Sequence, residues 1–161
     1  FLKRWYKHAQ AGKTIIYVDE SGFEPYTQRH YGWAPIGQKV YGERSGHTRP
    51  RTSFLAARMP DGSLEATQLW QGTCDARIFN DWVRDLLCPL LNENCVVIMD
   101  NAAFHKRTET RELIEARGAT LLFLPPYSPD LNPIENDFGA IKTIRQYNHE
   151  KSIDDIINMY H

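Results

Sequence analysis

Two short runs constrain the fold more than anything else in this chain. Thr14-Ile-Ile-Tyr-Val-Asp-Glu20 and Cys95-Val-Val-Ile-Met-Asp100 are apolar at consecutive positions instead of alternate ones. A strand with one face in water alternates, so a run apolar on both faces belongs inside a sheet covered on both sides. Covering such a sheet takes helices, and the sequence offers them. Thr73 can cap a helix in which Ile78, Trp82, Leu86 and Leu87 recur at helical spacing until Pro89. Thr108 to Arg117 is followed by Gly118, a glycine stop. From Pro133 onward Ile134, Phe138, Ile141 and Ile144 make one stripe, and Ser152 can cap a last short helix.

The remaining strands are shorter signals. Arg51 to Met59 and Leu64 to Trp70 flank Pro60-Asp-Gly-Ser63, a tight hairpin turn, and Ala119 to Leu124 is stopped by Pro125-Pro126. The first strand is expected to break at Ser21-Gly22, with Phe23 to Pro50 a long loop or irregular hairpin rich in aromatics, Gly and Pro. The order β-β-β-α-β-α-β-α implies an α/β fold: a mixed five-stranded sheet flanked by helices. At 161 residues the chain reads as one domain.

Charge and cysteine usage exclude several function classes. Nineteen Lys and Arg against twenty Asp and Glu give a net of −1, so bulk charge advertises no polyanionic partner, although basic residues can cluster locally. Cys74, Cys88 and Cys95 are odd in number and form no C-x-x-C, which argues against disulfides and against a thiolate zinc site. They read as packing residues in a reducing cytoplasm. No apolar stretch approaches the roughly 18 residues of a membrane helix. Phe1 to Lys13 has no apolar core of a signal peptide, and a start at Phe1 reads as a cut through a longer protein.

The chemistry lies in the acidic residues. Asp19 and Asp100 each end a strand apolar on both faces, so if those strands are parallel neighbours both carboxylates emerge at one sheet edge, where open α/β sheets place their sites. Either aspartate alone would read as turn chemistry. Glu135 has two readings. In Asn132-Pro133-Ile134-Glu135 it can close a capping box behind Asn132, or, from the first helical turn, face the sheet edge. Gly139, one turn below, either leaves room for something large or allows tight packing. Three converging carboxylates without thiolates suit Mg²⁺ or Mn²⁺, and their mutual repulsion should raise at least one carboxyl pKa. Two such ions activate a water or hydroxyl and stabilise the leaving oxygen in phosphodiester displacement.

The segments Val18-Asp-Glu-Ser-Gly-Phe23, Gly32-Trp-Ala-Pro-Ile-Gly-Gln38, Met99-Asp-Asn-Ala-Ala-Phe-His105 and Leu124-Pro-Pro-Tyr-Ser-Pro-Asp-Leu-Asn-Pro-Ile-Glu-Asn136 resemble the catalytic (DDE) domain of mariner-superfamily transposases, bacterial insertion-sequence branch. The likeness covers residues 13 to 147, and 34 residues separate Asp100 from Glu135, the interval of that branch. The resemblance implies a ribonuclease-H-like fold in which Asp19, Asp100 and Glu135 hold two divalent ions, Mg²⁺ or Mn²⁺, with Glu20 a neighbour and not a ligand. It further implies metal-dependent hydrolysis at transposon ends and strand transfer into target DNA, typically at a TA dinucleotide, by a homodimer, in a bacterial cytoplasm at the nucleoid. Phe138 stands where the family commonly has Trp, and the family's N-terminal helix-turn-helix region is absent from residues 1 to 161. The rival reading is a catalytically silent remnant that dimerises or binds DNA weakly.

Contacts to DNA are expected from three basic groups: Arg44, His47, Arg49 and Arg51 before the second strand, His105-Lys106-Arg107 after Asp100, and Lys142 with Arg145 below Glu135. For each, a solvated charged surface is the alternative. Tyr127-Ser-Pro129 and Asn132 read as a rigid turn that aims Glu135.

Overall fold

The computed structural model describes residues 1–24, 35–39 and 51–160. Among these residues the α-helices and strands follow in the order α1 (Leu2–Gln10), β1 (Thr14–Phe23), β2 (Thr52–Arg58), β3 (Leu64–Gln71), α2 (Ala76–Trp82), β4 (Cys95–Met99), α3 (Thr108–Glu115), β5 (Thr120–Phe123), α4 (Ile134–Tyr147) and α5 (Ile153–Tyr160). The strands form one sheet in the order β3-β2-β1-β4-β5. β1 pairs antiparallel with β2, and β2 with β3, whereas β1–β4 and β4–β5 are parallel. The mixed five-stranded sheet expected from the pattern of apolar runs is therefore present.

Both faces of the sheet are covered, as runs apolar on both sides require. Ile16, Val18, Leu55, Val97 and Met99 pack on one face against Phe79, Trp82 and Leu87 from α2 and its continuation and against Ile114 of α3. On the other face Phe23, Phe54 and Ala56 meet Ile134, Phe138 and Ile141 of α4 and Ile156 and Ile157 of α5. Farther along that face Val96, Ile98 and Leu122 are covered by Phe1 and Trp5.

Several details depart from the sequence reading. β1 does not break at Ser21-Gly22 but continues to Phe23, because both residues pair with β2, Ser21 with Phe54 and Gly22 with Ser53. A Cβ at Gly22 would lie 1.6 Å from Nε of Arg51, so the glycine makes way for that guanidinium. Asp75, not Thr73, caps α2: its Oδ1 accepts from the backbone N–H groups of Arg77 and Ile78 at 2.9 and 2.8 Å. Helix α1 was not foreseen. It is held by its Trp5, whose Nε1 donates to the hydroxyl of Tyr17 at 3.0 Å. The Asp-Gly turn behaves as read, with Gly62 at φ +93° and the Ser63 carbonyl accepting from Met59 N–H at 2.8 Å.

Candidate active site

Strand register brings the two aspartates together. Val18 of β1 is the parallel partner of Met99 of β4, so Asp19 and Asp100 are the next pair at the same end of the sheet. Parallel neighbours stand about 4.8 Å apart in the hydrogen-bonding direction. Ile16 and Val18 face α2, so the alternation along β1 turns Asp19 to the α4 side and Glu20 back to the α2 side. Glu20 accordingly reaches the thiol of Cys74. Burial first, then the Glu20 carboxylate, pushes that thiol up to about 12.

The third carboxylate arrives from α4. The segment before α4 is tied to the strand ends twice: Leu124 N–H donates to the Met99 carbonyl at 2.9 Å, and the Asn101 side-chain amide donates to the Leu124 carbonyl. A short turn at Pro129–Leu131 then delivers Asn132, whose Nδ2 donates to Oδ2 of Asp19 at 2.7 Å. Asn132 is thus not a helix cap. Pro133 occupies the cap position of α4, no side chain caps the helix, and Glu135 closes no capping box. Instead the exposed Glu135 carboxyl stands within hydrogen-bonding reach of Asp19.

The electrostatics follow from this crowding. Asp19 is 8% exposed. Burial, followed by the negative charges of Glu135 and Asp100, lifts its carboxyl to about 7, against the backbone N–H of Glu20, which donates to Oδ1 at 2.7 Å and pulls it down. Asp100 is only half buried and ends up below its ordinary value. Burial pushes it up, but the hydrogen bonds from His105 and from Ala102 N–H, with the fields of His105 and Lys106, outweigh that push. The cost of gathering three carboxylates falls on Asp19.

The basic residues separate into three kinds. Arg51, Lys106, Arg107 and Lys142 are exposed. Arg44, His47 and Arg49 lie outside the described residues. His105, expected to meet phosphate, corrects that expectation: it is 1% exposed, its ring packs against those of Phe79 and Phe104 at 4.3 and 4.2 Å, and its Nδ1 is 2.5 Å from Oδ1 of Asp100. A ring so enclosed cannot reach a nucleic-acid backbone. Arg145 is half-buried over the ring of Phe23 at 5.4 Å, a packing position. Gly139 is exposed and, among the described residues, a Cβ there would meet nothing within 4 Å, so tight packing against them is not its reason.

One constellation beside the site was not legible beforehand. Asp137 of α4 is buried, and its Oδ2 accepts from Nε of Arg58 at 2.7 Å while its Oδ1 accepts from the hydroxyl of Tyr160 at 2.5 Å. It ties α4 to β2 and α5, two residues from Glu135.

Among solved structures the chain is similar to the pre-cleavage Mos1 transpososome, with 16% identity and a TM-score of 0.69 over 99% of this chain and 55% of that one. It is similar to the mariner Mos1 paired end complex with Mg at 20% identity and 0.69, over 88% and 44%. The HTLV-2 integrase catalytic core domain in complex with magnesium matches at 11% identity and 0.57, over 91% and 81%. These likenesses show a ribonuclease-H-like fold, and the chain spans about half the length of the Mos1 chains it matches. No curated protein matches the sequence. The model of the DDE superfamily endonuclease family matches residues 14–157, nearly the whole chain, and the chain belongs to that family.

Proposed function

We propose that this chain is the catalytic domain of a DNA transposase that hydrolyses phosphodiesters at transposon ends and joins the freed 3′-hydroxyl to target DNA, with Asp19, Asp100 and Glu135 as its catalytic carboxylates. The observation that carries the reading is the meeting of these three side chains at one sheet end, with Asp19 lifted to about 7 by burial and by the other two. Mos1 structures of like fold are a paired end complex with Mn, one with Mg and a strand transfer complex, which supports DNA ends, target DNA and a divalent cation as partners here.

The donor set fits Mg²⁺ or Mn²⁺: it is all oxygen, and a cation would relieve the repulsion concentrated on Asp19. Among the described residues no three acidic, imidazole or thiolate side chains stand close enough together to hold a metal ion. Asp19 and Glu135 touch each other, while Oδ1 of Asp100 is engaged by His105 and Ala102. Two ions held here would supply an activated water or 3′-hydroxyl and stabilise the leaving oxygen. The chain's own part is to hold Asp19 and Asp100 on rigid strands, to present Glu135 from the first turn of α4, and to meet the DNA backbone with Arg51, Lys106, Arg107 and Lys142. The active complex is a dimer in this reading.

Four phosphate contacts predict that log K for duplex DNA falls with log salt at a slope of about −3 to −4, with slight sequence preference. Cleavage of a labelled duplex end in Mn²⁺ across a salt series tests the reading. Slow nicking or strand transfer abolished by Asp19→Ala supports it. Absence of metal-dependent cleavage under every salt and metal condition favours the silent remnant instead.

A further inference from the structure

Among the described residues two buried side-chain atoms have no hydrogen-bond partner: Nε2 of His105 and Oδ1 of Asn132. Both belong to the side chains that hold the two aspartates. His105 contacts Oδ1 of Asp100 through Nδ1, and Asn132 donates to Oδ2 of Asp19 through Nδ2. A buried polar atom left unserved destabilises a fold, and native proteins keep few of them. Finding both beside one carboxylate cluster separates these two residues from ordinary core polar groups, whose partners are complete.

Building on the reading of Asp19, Asp100 and Glu135 as a metal site, we infer that His105 and Asn132 are positioning residues, one for each aspartate. Each fixes the rotation of its carboxylate and so decides which oxygen lone pairs remain for a divalent cation. At Asp100 the N–H of Ala102 and the His105 ring both converge on Oδ1, and Oδ2 accepts nothing from the described residues. The carboxylate is held by one oxygen with the other left over. At Asp19 Glu20 N–H donates to Oδ1 and Asn132 to Oδ2, so the orientation of the carboxylate is fixed from both oxygens while the Glu135 carboxyl stands within reach of it. Asn132 suits this task because an amide orients a carboxylate without adding a positive charge that would compete with the cation. His105 suits it because the rings of Phe79 and Phe104 pack against it and it is almost fully buried, which restricts its rotation. Partners of metal ligands set ligand orientation in this way, and losing one typically weakens metal binding 10- to 100-fold.

The test is Mn²⁺ binding followed by electron paramagnetic resonance, with melting curves in EDTA, on wild type, Asp19→Ala, His105→Leu, His105→Asn and Asn132→Ala. Positioning predicts that His105→Leu and Asn132→Ala bind Mn²⁺ about 10- to 100-fold more weakly. It also predicts that His105→Asn, whose amide can stand where Nδ1 stood, stays within about threefold of wild type by the same orientation argument. Melting curves in EDTA establish that each variant is folded before its Mn²⁺ affinity is compared. Wild-type affinity in His105→Leu and Asn132→Ala, with binding lost in Asp19→Ala, overturns the positioning roles and leaves the metal site standing. Binding unchanged in Asp19→Ala overturns the three-carboxylate reading itself. If His105→Leu does not fold, Asn132→Ala against Asn132→Ser decides the matter: an alanine as good as serine overturns the inference.

Discussion

Nδ2 of Asn132 donates to Oδ2 of Asp19 at 2.7 Å, joining the turn before α4 to the end of β1 across 113 residues of sequence. The contact explains why a good capping residue is not used as one. The Asn132 amide serves one carboxylate oxygen here, and a helix that begins at Ile134 behind Pro133 without a side-chain cap leaves unpaired only N–H groups that are unpaired at any helix start. The amide is more valuable on a buried carboxylate, and Glu135, three residues on, is delivered to the same carboxyl.

Because Asp19 sits at about 7 when folded and near 3.8 when unfolded, its protonation links stability to pH with a definite sign. Between those values the folded chain holds a proton that the unfolded chain has released, so this group makes stability fall as pH rises from about 4 to about 7, and the loss is complete above that. The shift corresponds to about 4 kcal/mol as an order of magnitude. Asp19→Asn cannot ionise and should gain on wild type steadily across this window, in EDTA, by urea unfolding at pH 4.5, 6 and 8. Parallel stability curves for the two proteins would sink the assignment of the strained carboxylate.

What could be read from sequence here was local and periodic. Runs apolar on both faces placed β1 and β4 inside the sheet, Asp61-Gly62 marked the hairpin, and Ser152 does cap α5, accepting from Asp155 N–H at 3.1 Å. The coming together of Asp19 and Asp100 was legible only on the condition that β1 and β4 are parallel neighbours, which the sheet meets. What escaped depended on distant partners. Nothing near His105 in the sequence says that Phe79 will bury it, so its neighbours Lys106 and Arg107 suggested a phosphate contact instead. α1 has a basic, aromatic sequence without a side-chain cap, and Trp5 settles it only by finding Tyr17 in a strand not yet formed. Thr73 and Asp75 are equally good caps on paper; the path of the chain leaving β3 chooses between them.

The Arg58–Asp137–Tyr160 cluster should matter for stability well beyond a surface ion pair. Asp137 is 6% exposed, and its hydrogen bond is the first cause, ahead of burial, that pushes the Tyr160 hydroxyl up to about 12. Replacing it with leucine strips a mostly buried guanidinium of its carboxylate, a change that costs on the order of 3 kcal/mol. For a chain of this size that lowers Tm by roughly 6–12 °C. Tyr160→Phe removes one hydrogen bond and leaves the ion pair, so its cost should be nearer about 1 kcal/mol. Calorimetry on both variants checks the order; a Tyr160→Phe loss equal to that of Asp137→Leu would show that the phenol of α5, not the ion pair to β2, carries the stability of the cluster.

Gly139 gives the sharpest separation of fold from function. It lies inside α4 one turn beyond Glu135, exposed, with nothing among the described residues within 4 Å of where a Cβ would be and with its carbonyl accepting from Thr143 Oγ1 at 2.9 Å. A glycine there costs a helix up to about 1 kcal/mol relative to alanine, and no contact within the described residues offsets that cost. Gly139→Ala should therefore raise Tm by roughly 2–4 °C. If the empty surface beside Glu135 is where the DNA backbone crosses toward the carboxylates, the more stable protein should also be the poorer binder. Gly139→Leu should weaken duplex binding further than Gly139→Ala, while both keep wild-type Mn²⁺ affinity, since neither side chain reaches Asp19 or Asp100. Melting curves, DNA titrations and Mn²⁺ titrations on the two variants settle the matter: a higher Tm with undiminished DNA binding would mean the glycine serves no substrate, and an unchanged Tm would mean the helix never bore its cost.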